Sequence, residues 1–253
     1  MRYGTPAVGG AARGPLRLAM ALCVLGFEAP GAGAQTAAEL LESCRSEAVA
    51  ATERIAACTR AIGEKGDEGV RAEAHVQRGV LYELDGREEA AVEDYTAAIR
   101  LRPANPLAYF NRGNAYTQLD KLDLAIADYT QAIKIDPKEP DFFNNRGQAH
   151  DGKGQHDLAI GDYTEAIRLD GSSARPFYNR GVSYANKGDY RRAVADFDLA
   201  IKATPDDPDI YVARGAAFEV LGDAGAARAD FTKALEIDPD HEDAREGLNR
   251  NGG

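Results

Sequence analysis

A 34-residue period constrains this chain more than any other feature of it. Arg-Gly falls at Arg78-Gly79, Arg112-Gly113, Arg146-Gly147, Arg180-Gly181 and Arg214-Gly215. Sixteen residues after each arginine stands an aspartate: Asp94, Asp128, Asp162, Asp196 and Asp230. An aromatic follows each time, at Tyr95, Tyr129, Tyr163, Phe197 and Phe231. Five registers without an insertion describe an array in which each unit is one supersecondary element stacked on its neighbours.

The unit reads clearly between Tyr109 and Pro137. Tyr109, Gly113 and Tyr116 recur at helical spacing and share one face. The polar stretch Leu119–Asp123 breaks that stripe. A second stripe follows in Leu122, Ala125, Ile126, Tyr129, Ala132 and Ile133, and it ends at Asp136-Pro137, where proline cannot continue a helix. The unit is therefore helix, short turn, helix, break. Gly113 and Ala125 are small enough to let two antiparallel helices approach, with Tyr116 and Tyr129 filling the space beside them.

This pattern resembles the tetratricopeptide repeat, whose signature appears here as Tyr109, Arg112-Gly113, Tyr116, Ala125, Tyr129 and Pro137. Arginine replaces the family's leucine before glycine in every unit. His75 and His150 take aromatic slots, and Gly171 replaces the closing proline. The resemblance covers about residues 72–241, in units 72–105, 106–139, 140–173, 174–207 and 208–241. It implies an all-α fold: a right-handed solenoid of antiparallel helix pairs, with the first helices lining an open groove. His75 and His150 are expected to pack in the core. The two glycines of the third turn, Gly152 and Gly154, predict a soft joint there.

Outside the array, Arg2, Arg13 and Arg17 precede the apolar run Leu16–Phe27, and Ala32-x-Ala34 stands before Gln35. This reads as a secretory signal peptide over 1–34, cleaved after Ala34; the run is shorter than the roughly 20 residues of a membrane span. The expected mature chain is exported, periplasmic or secreted. Removing three arginines and Glu28 takes the net charge from −11 to −13. That disfavours nucleic acid and anionic lipid as partners. Cys44 and Cys58 then remain, an even number in an oxidising compartment, and they predict a disulfide. Thr36–Ala50 and Thr52–Ile62 read as a divergent helical pair, with Cys58 in the slot that Tyr129 occupies. Residues 35–71 hold this pair and the loop Gly63–Val70, which adds a few residues to the period. In the tail, 242–253, Ala244 and Leu248 are placed to cover the last repeat, while Asn249–Gly253 are expected to fray.

No catalytic constellation, cofactor motif or metal-ligand spacing is present in the sequence, which points to a non-enzyme with no cofactor. Asp206-Asp207-Pro208-Asp209 and Asp238–Asp243 fall where aspartate caps helices. The arginines and aspartates, Arg78/Asp94 through Arg214/Asp230, predict a series of partly buried pairs within or between repeats that fix register. By the resemblance, the slot before each arginine faces the groove; it holds Gln77, Asn111, Asn145, Asn179 and Ala213. Asn114 and Gln148 lie one turn further along, flanked by Phe110, Asn144 and Tyr178. Two readings of these amides stand: they hold the backbone of an extended peptide, or they bond neighbouring repeats and set curvature. The expected role is a protein–protein interaction module with a peptide or protein in its groove. The alternatives are an accessory subunit of an envelope assembly and a self-associating envelope component.

Overall fold

The computed structural model describes residues 35–65 and 67–252; the expected signal segment lies outside the described residues. All regular structure among the described residues is α-helical. A terminal pair, α1 (Ala37–Arg45) and α2 (Ala51–Gly63), precedes five longer pairs. These are α3 (Glu68–Leu84) with α4 (Glu88–Leu101), α5 (Pro106–Gln118) with α6 (Leu122–Ile135), and α7 (Pro140–Gly152) with α8 (His156–Leu169). Then come α9 (Ala174–Asn186) with α10 (Tyr190–Ala203), α11 (Pro208–Leu221) with α12 (Ala224–Ile237), and a single closing helix, α13 (Glu242–Arg250). None of the described helices is long and apolar enough to cross a membrane.

Local chemistry sets these boundaries. Asn105, Glu139 and Asp207 cap α5, α7 and α11, each ahead of a proline whose fixed φ suits the first helical position. Each first helix ends on a residue in the left-handed region: Gly86, Asp120, Gly154, Gly188 and Gly222, again 34 apart. The next N–H then bonds back to the helix, as Lys121 does to the Tyr116 carbonyl and Gln155 to that of His150, at 2.8 and 2.9 Å. Gly154 is therefore a turn residue that the backbone requires, and the third turn closes like the others.

Helix pairs pack around the recurring aromatics. Tyr95, Tyr129, Tyr163, Phe197 and Phe231 are the largest side chains of the interior, all essentially inaccessible. Each ring lies flat on the glycine of its own first helix. A Cβ added at Gly113 would sit 2.7 Å from Cε1 of Tyr129, and one at Gly181 would sit 2.7 Å from Cε1 of Phe197. Glycine is thus a packing requirement at this slot.

First helices of successive pairs touch one another, whereas second helices of successive pairs do not. Two layers of unequal spacing must curve, so the first helices form the inner layer. Both ends are closed. At the start, Cys44 and Cys58 form a disulfide between α1 and α2, with both residues buried. Arg54 donates to the Cys44 carbonyl at 3.0 Å, which turns the chain at Arg45; α1 is accordingly shorter than Thr36–Ala50. Asp67 caps α3 at Glu68, which shortens the expected loop from its C-terminal side. At the other end, Ala244 and Gly247 are buried, and Gly247 lies against the Phe231 ring. Helix α13 continues to Arg250, and Arg250 and Asn251 both bond Glu219.

Candidate functional site: the inner face of the first helices

The arginine–aspartate series holds the helix pairs in register. In every unit the guanidinium binds its aspartate through two N–H groups, as Arg112 Nε and Nη2 do to Asp128 at 2.7 and 2.8 Å. The same geometry recurs at Arg78–Asp94, Arg146–Asp162, Arg180–Asp196 and Arg214–Asp230. The carboxylate thus comes from the same repeat. The third nitrogen, Nη1, reaches back to the preceding repeat: to Thr96, Thr130 and Thr164, and to Asp198 from Arg214. Arg78 does this to Thr59, which follows Cys58 as Thr96 follows Tyr95. That bond places Cys58 in the aromatic register. It spans 19 residues instead of 16, so the loop between α2 and α3 inserts three.

These groups are fully committed. Donating to the aspartates, together with their negative charge, raises the pKa of Arg78, Arg112 and Arg180 against the opposing effect of burial. Burial pushes the Asp94 carboxyl up, but bonds and charges from Arg78 and His75 outweigh it, and Asp94 stays below its ordinary value. His75 is therefore a polar partner (Nδ1 lies 2.7 Å from Asp94) and not the apolar core residue expected. His150 likewise bonds Gln155 at 2.7 Å. Polar ring nitrogens in aromatic slots take polar partners when burial is incomplete.

Cross-helix bonds between first helices define the inner face. Asn145 donates to Asn114 at 2.9 Å, Asn179 to Asn144 at 3.0 Å, and Asn144 to Asn145 at 3.2 Å. Tyr129 donates its hydroxyl to Asn114 at 2.8 Å. Four asparagines thus form a connected series across α5, α7 and α9, and Asn144 is only 1% exposed. Gln77 donates to Glu73 in its own helix. Among the described residues no partner engages the amides of Asn111 and Gln148, and Gln148 is exposed. Phe110 stacks at a tilt on Tyr129 and Phe142, with centroids 5.8 and 5.0 Å apart, and Tyr178 packs on Phe197 at 5.8 Å. Arg175 of α9 pairs with Asp141 of the preceding repeat. Leu84 and Leu107 stand exposed at 79% and 56%.

A second series supports the rings. Twelve residues before each aromatic stand Glu83, Thr117, Asp151, Ala185 and Glu219. The first three bond the hydroxyls of Tyr95, Tyr129 and Tyr163. The last two precede phenylalanines and have no hydroxyl to bond. Sixteen residues after each aromatic stand Asn111, Asn145, Asn179, Ala213 and Gly247: asparagine follows tyrosine, and a small apolar residue follows phenylalanine. The contact is realised at Tyr129, whose hydroxyl the Asn145 amide also reaches. Burial pushes the Tyr129 pKa up to about 12, so this hydroxyl stays a donor at neutral pH. The covariation is present in the sequence, but it emerges only when the aromatic of one unit is aligned with the next unit's first helix.

Comparison with known proteins agrees with this architecture. A family model described as "TPR repeat" matches residues 85–120 and 113–151, and models described as "Tetratricopeptide repeat" match 140–173 and 183–246. No curated protein matches the chain. Among solved structures, the chain is similar to YrrB, "a TPR protein with an unusual peptide-binding site", at 23% identity, covering 76% of this chain and 97% of that one with a TM-score of 0.63. It is similar to MamA from Desulfovibrio magneticus RS-1 at 18% identity, covering 71% and 99% with a TM-score of 0.64. It also resembles the APC/C hetero-tetramer Cut9–Hcn1 at 18% identity and a TM-score of 0.67, with 86% of this chain spanning 43% of that one.

Proposed function

Because this chain belongs to the tetratricopeptide repeat family, we propose that it is a non-catalytic interaction module, exported from the cytoplasm, that holds a peptide or protein segment against its inner face. The observation that carries this is the state of that face. Five first helices lie side by side, and the amides of Asn111 and Gln148 are unengaged beside exposed Leu84 and Leu107. An amide offers a donor and an acceptor to any peptide unit, and the leucines offer apolar area that solvent does not favour. A neighbouring fold, YrrB, is described as binding peptide, which supports the assignment by analogy. Gln77, Asn145, Asn179, Asn114, Phe110 and Tyr178 complete the proposed surface, and Asn144 supports it from beneath. Among the described residues no group of His, Cys, Asp and Glu could hold a metal ion.

The test is affinity capture from a native envelope fraction. Mature protein would be compared with an Asn111→Ala/Asn145→Ala/Asn179→Ala variant of matched helical content. Partners lost only with the variant are the expected result. Partners retained equally would make these amides purely structural and move the binding surface elsewhere.

A further inference from the structure

Three acids share one register position on the inner face: Glu83, Asp151 and Glu219, each 68 residues from the next. Their partners differ. Glu219 is occupied by the chain's own C-terminus. Arg250 binds it through Nε at 3.3 Å and Nη2 at 3.1 Å, and Asn251 donates to it at 2.6 Å. Glu83 is bonded only by the Tyr95 hydroxyl. Asp151 is bonded by His156 at 2.8 Å, by Tyr163 at 3.1 Å and by Ser183 at 2.5 Å. Among the described residues no lysine or arginine reaches either of them. At another shared register of the first helices stand Glu73, Asp141, Arg175 and Asp209; Arg175 pairs with Asp141, and His241 lies 2.9 Å from Asp209. Arg45 of α1 already covers Glu73 at 3.2 Å. At both ends of the array, then, an arginine from a covering helix sits on an inner-face acid.

We infer that the groove selects an extended polypeptide segment carrying two basic side chains, which bind Glu83 and Asp151 as Arg250 binds Glu219. This rests on the groove reading above and adds the chemistry of its ligand. The spacing follows from the array. Neighbouring packed helices lie roughly 10 Å apart, so Glu83 and Asp151, two repeats apart, are separated by about 20 Å. An extended chain rises about 3.3 Å per residue, which puts the two basic residues about six positions apart. Burial raises the Glu83 carboxyl pKa despite the Tyr95 bond, as expected of an acid that lacks a cation.

The probes are fluorescein-labelled Gly/Ser peptides with two Arg-Asn pairs placed about six residues apart, the same pairs placed adjacent, and a Gln-Asn counterpart. Fluorescence anisotropy with the mature protein should show the spaced basic peptide binding at least about tenfold more tightly than the Gln-Asn peptide, with the adjacent pairs between them. Glu83→Gln and, separately, Asp151→Asn should each remove most of that preference. Glu219→Gln should leave it, since Arg250 already fills that position. Helical content by circular dichroism identifies a variant that fails to fold, and Glu83→Gln carries the test if Asp151→Asn does. Equal binding of basic and Gln-Asn peptides would overturn the charge assignment and leave the groove reading standing. Absence of binding by every peptide would also overturn it, while the capture experiment with native partners still decides the groove reading separately.

Discussion

The first three repeats and the last two are built on one frame but joined differently. In repeats 1–3 the buried ring is tyrosine, its hydroxyl is bonded by Glu83, Thr117 or Asp151, and the next helix brings an asparagine. In repeats 4 and 5 the ring is phenylalanine, and Ala213 or Gly247 follows. Ala213 packs in the apolar cluster around Phe197, and the seam there is apolar. The comparison separates two functions of the same slot. Arg–Asp pairs and glycine–ring contacts are common to both regions, so they fix the fold. The seam of tyrosine hydroxyl and asparagine belongs to the first region alone and brings amides to the inner face, whereas inner-face carboxylates occur in both regions, as at Glu83, Asp151 and Glu219. A hydroxyl inside a helix pair must be bonded or it costs stability, so the choice of tyrosine carries its polar partners with it.

The largest expected effect tests the common frame. Gly113→Leu should destabilise by about 3 kcal/mol, because a Cβ there already meets the Tyr129 ring at 2.7 Å. An unchanged urea midpoint would mean the ring does not rest on this glycine. Next comes an exchange between regions. Phe197→Tyr should cost about 1–3 kcal/mol, since its hydroxyl would face Ala185 and Ala213 with no partner. Adding Ala185→Thr, the residue that serves Tyr129 as Thr117, should recover part of the loss. If Phe197→Tyr alone is neutral, the added hydroxyl finds a partner at this seam and the contrast between the two regions falls. The reciprocal change, Tyr129→Phe, should cost about 1 kcal/mol by removing the hydroxyl that Thr117, Asn114 and Asn145 share.

A smaller effect concerns pH. The Asp94 carboxyl lies below its ordinary value, so it contributes stability above the unfolded pKa, about 3.9. That contribution is lost as pH falls through the lower folded value. His75→Phe removes one of the two groups that hold Asp94 down, so its stability should fall less steeply below about pH 4 than the wild type's. Identical acid limbs would show that Arg78 alone sets this carboxylate. The smallest effect is a gain. Asp120 is the one non-glycine residue among the five left-handed turn positions, with φ of 56°. Asp120→Gly should stabilise by about 0.5 kcal/mol, as aspartate tolerates this region better than most side chains do; a loss would point to a side-chain role for Asp120 that the turn does not reveal.

Much of the frame is legible in the sequence because it repeats. The period locates the glycine under each ring, the arginine and its aspartate, and Cys58 as the stand-in for an aromatic. Other features depend on relations between units and are harder to read. The threonine reached by each arginine belongs to the previous repeat, and the asparagines bond one another across helices. The histidines were assigned to the core because their slots are aromatic, yet partial burial let Asp94 and Gln155 engage them. Gly154 looked like weakness where the turn needs a positive φ. The tail looked loose because nothing in its own sequence indicates that Glu219 would hold Arg250 and Asn251.

The most direct test of the central claim is site-specific photo-crosslinking. A benzophenone side chain would be placed at Asn111 on the inner face of the tyrosine region, at Ala216 on the first helix of the last repeat, and at exposed Ala127 on a second helix, each in the protein expressed in its native cell. Adducts to a partner from position 111, weak ones from 216 and none from 127 are predicted. Adducts from 127 with none from 111 would contradict the account and place binding on the outer face.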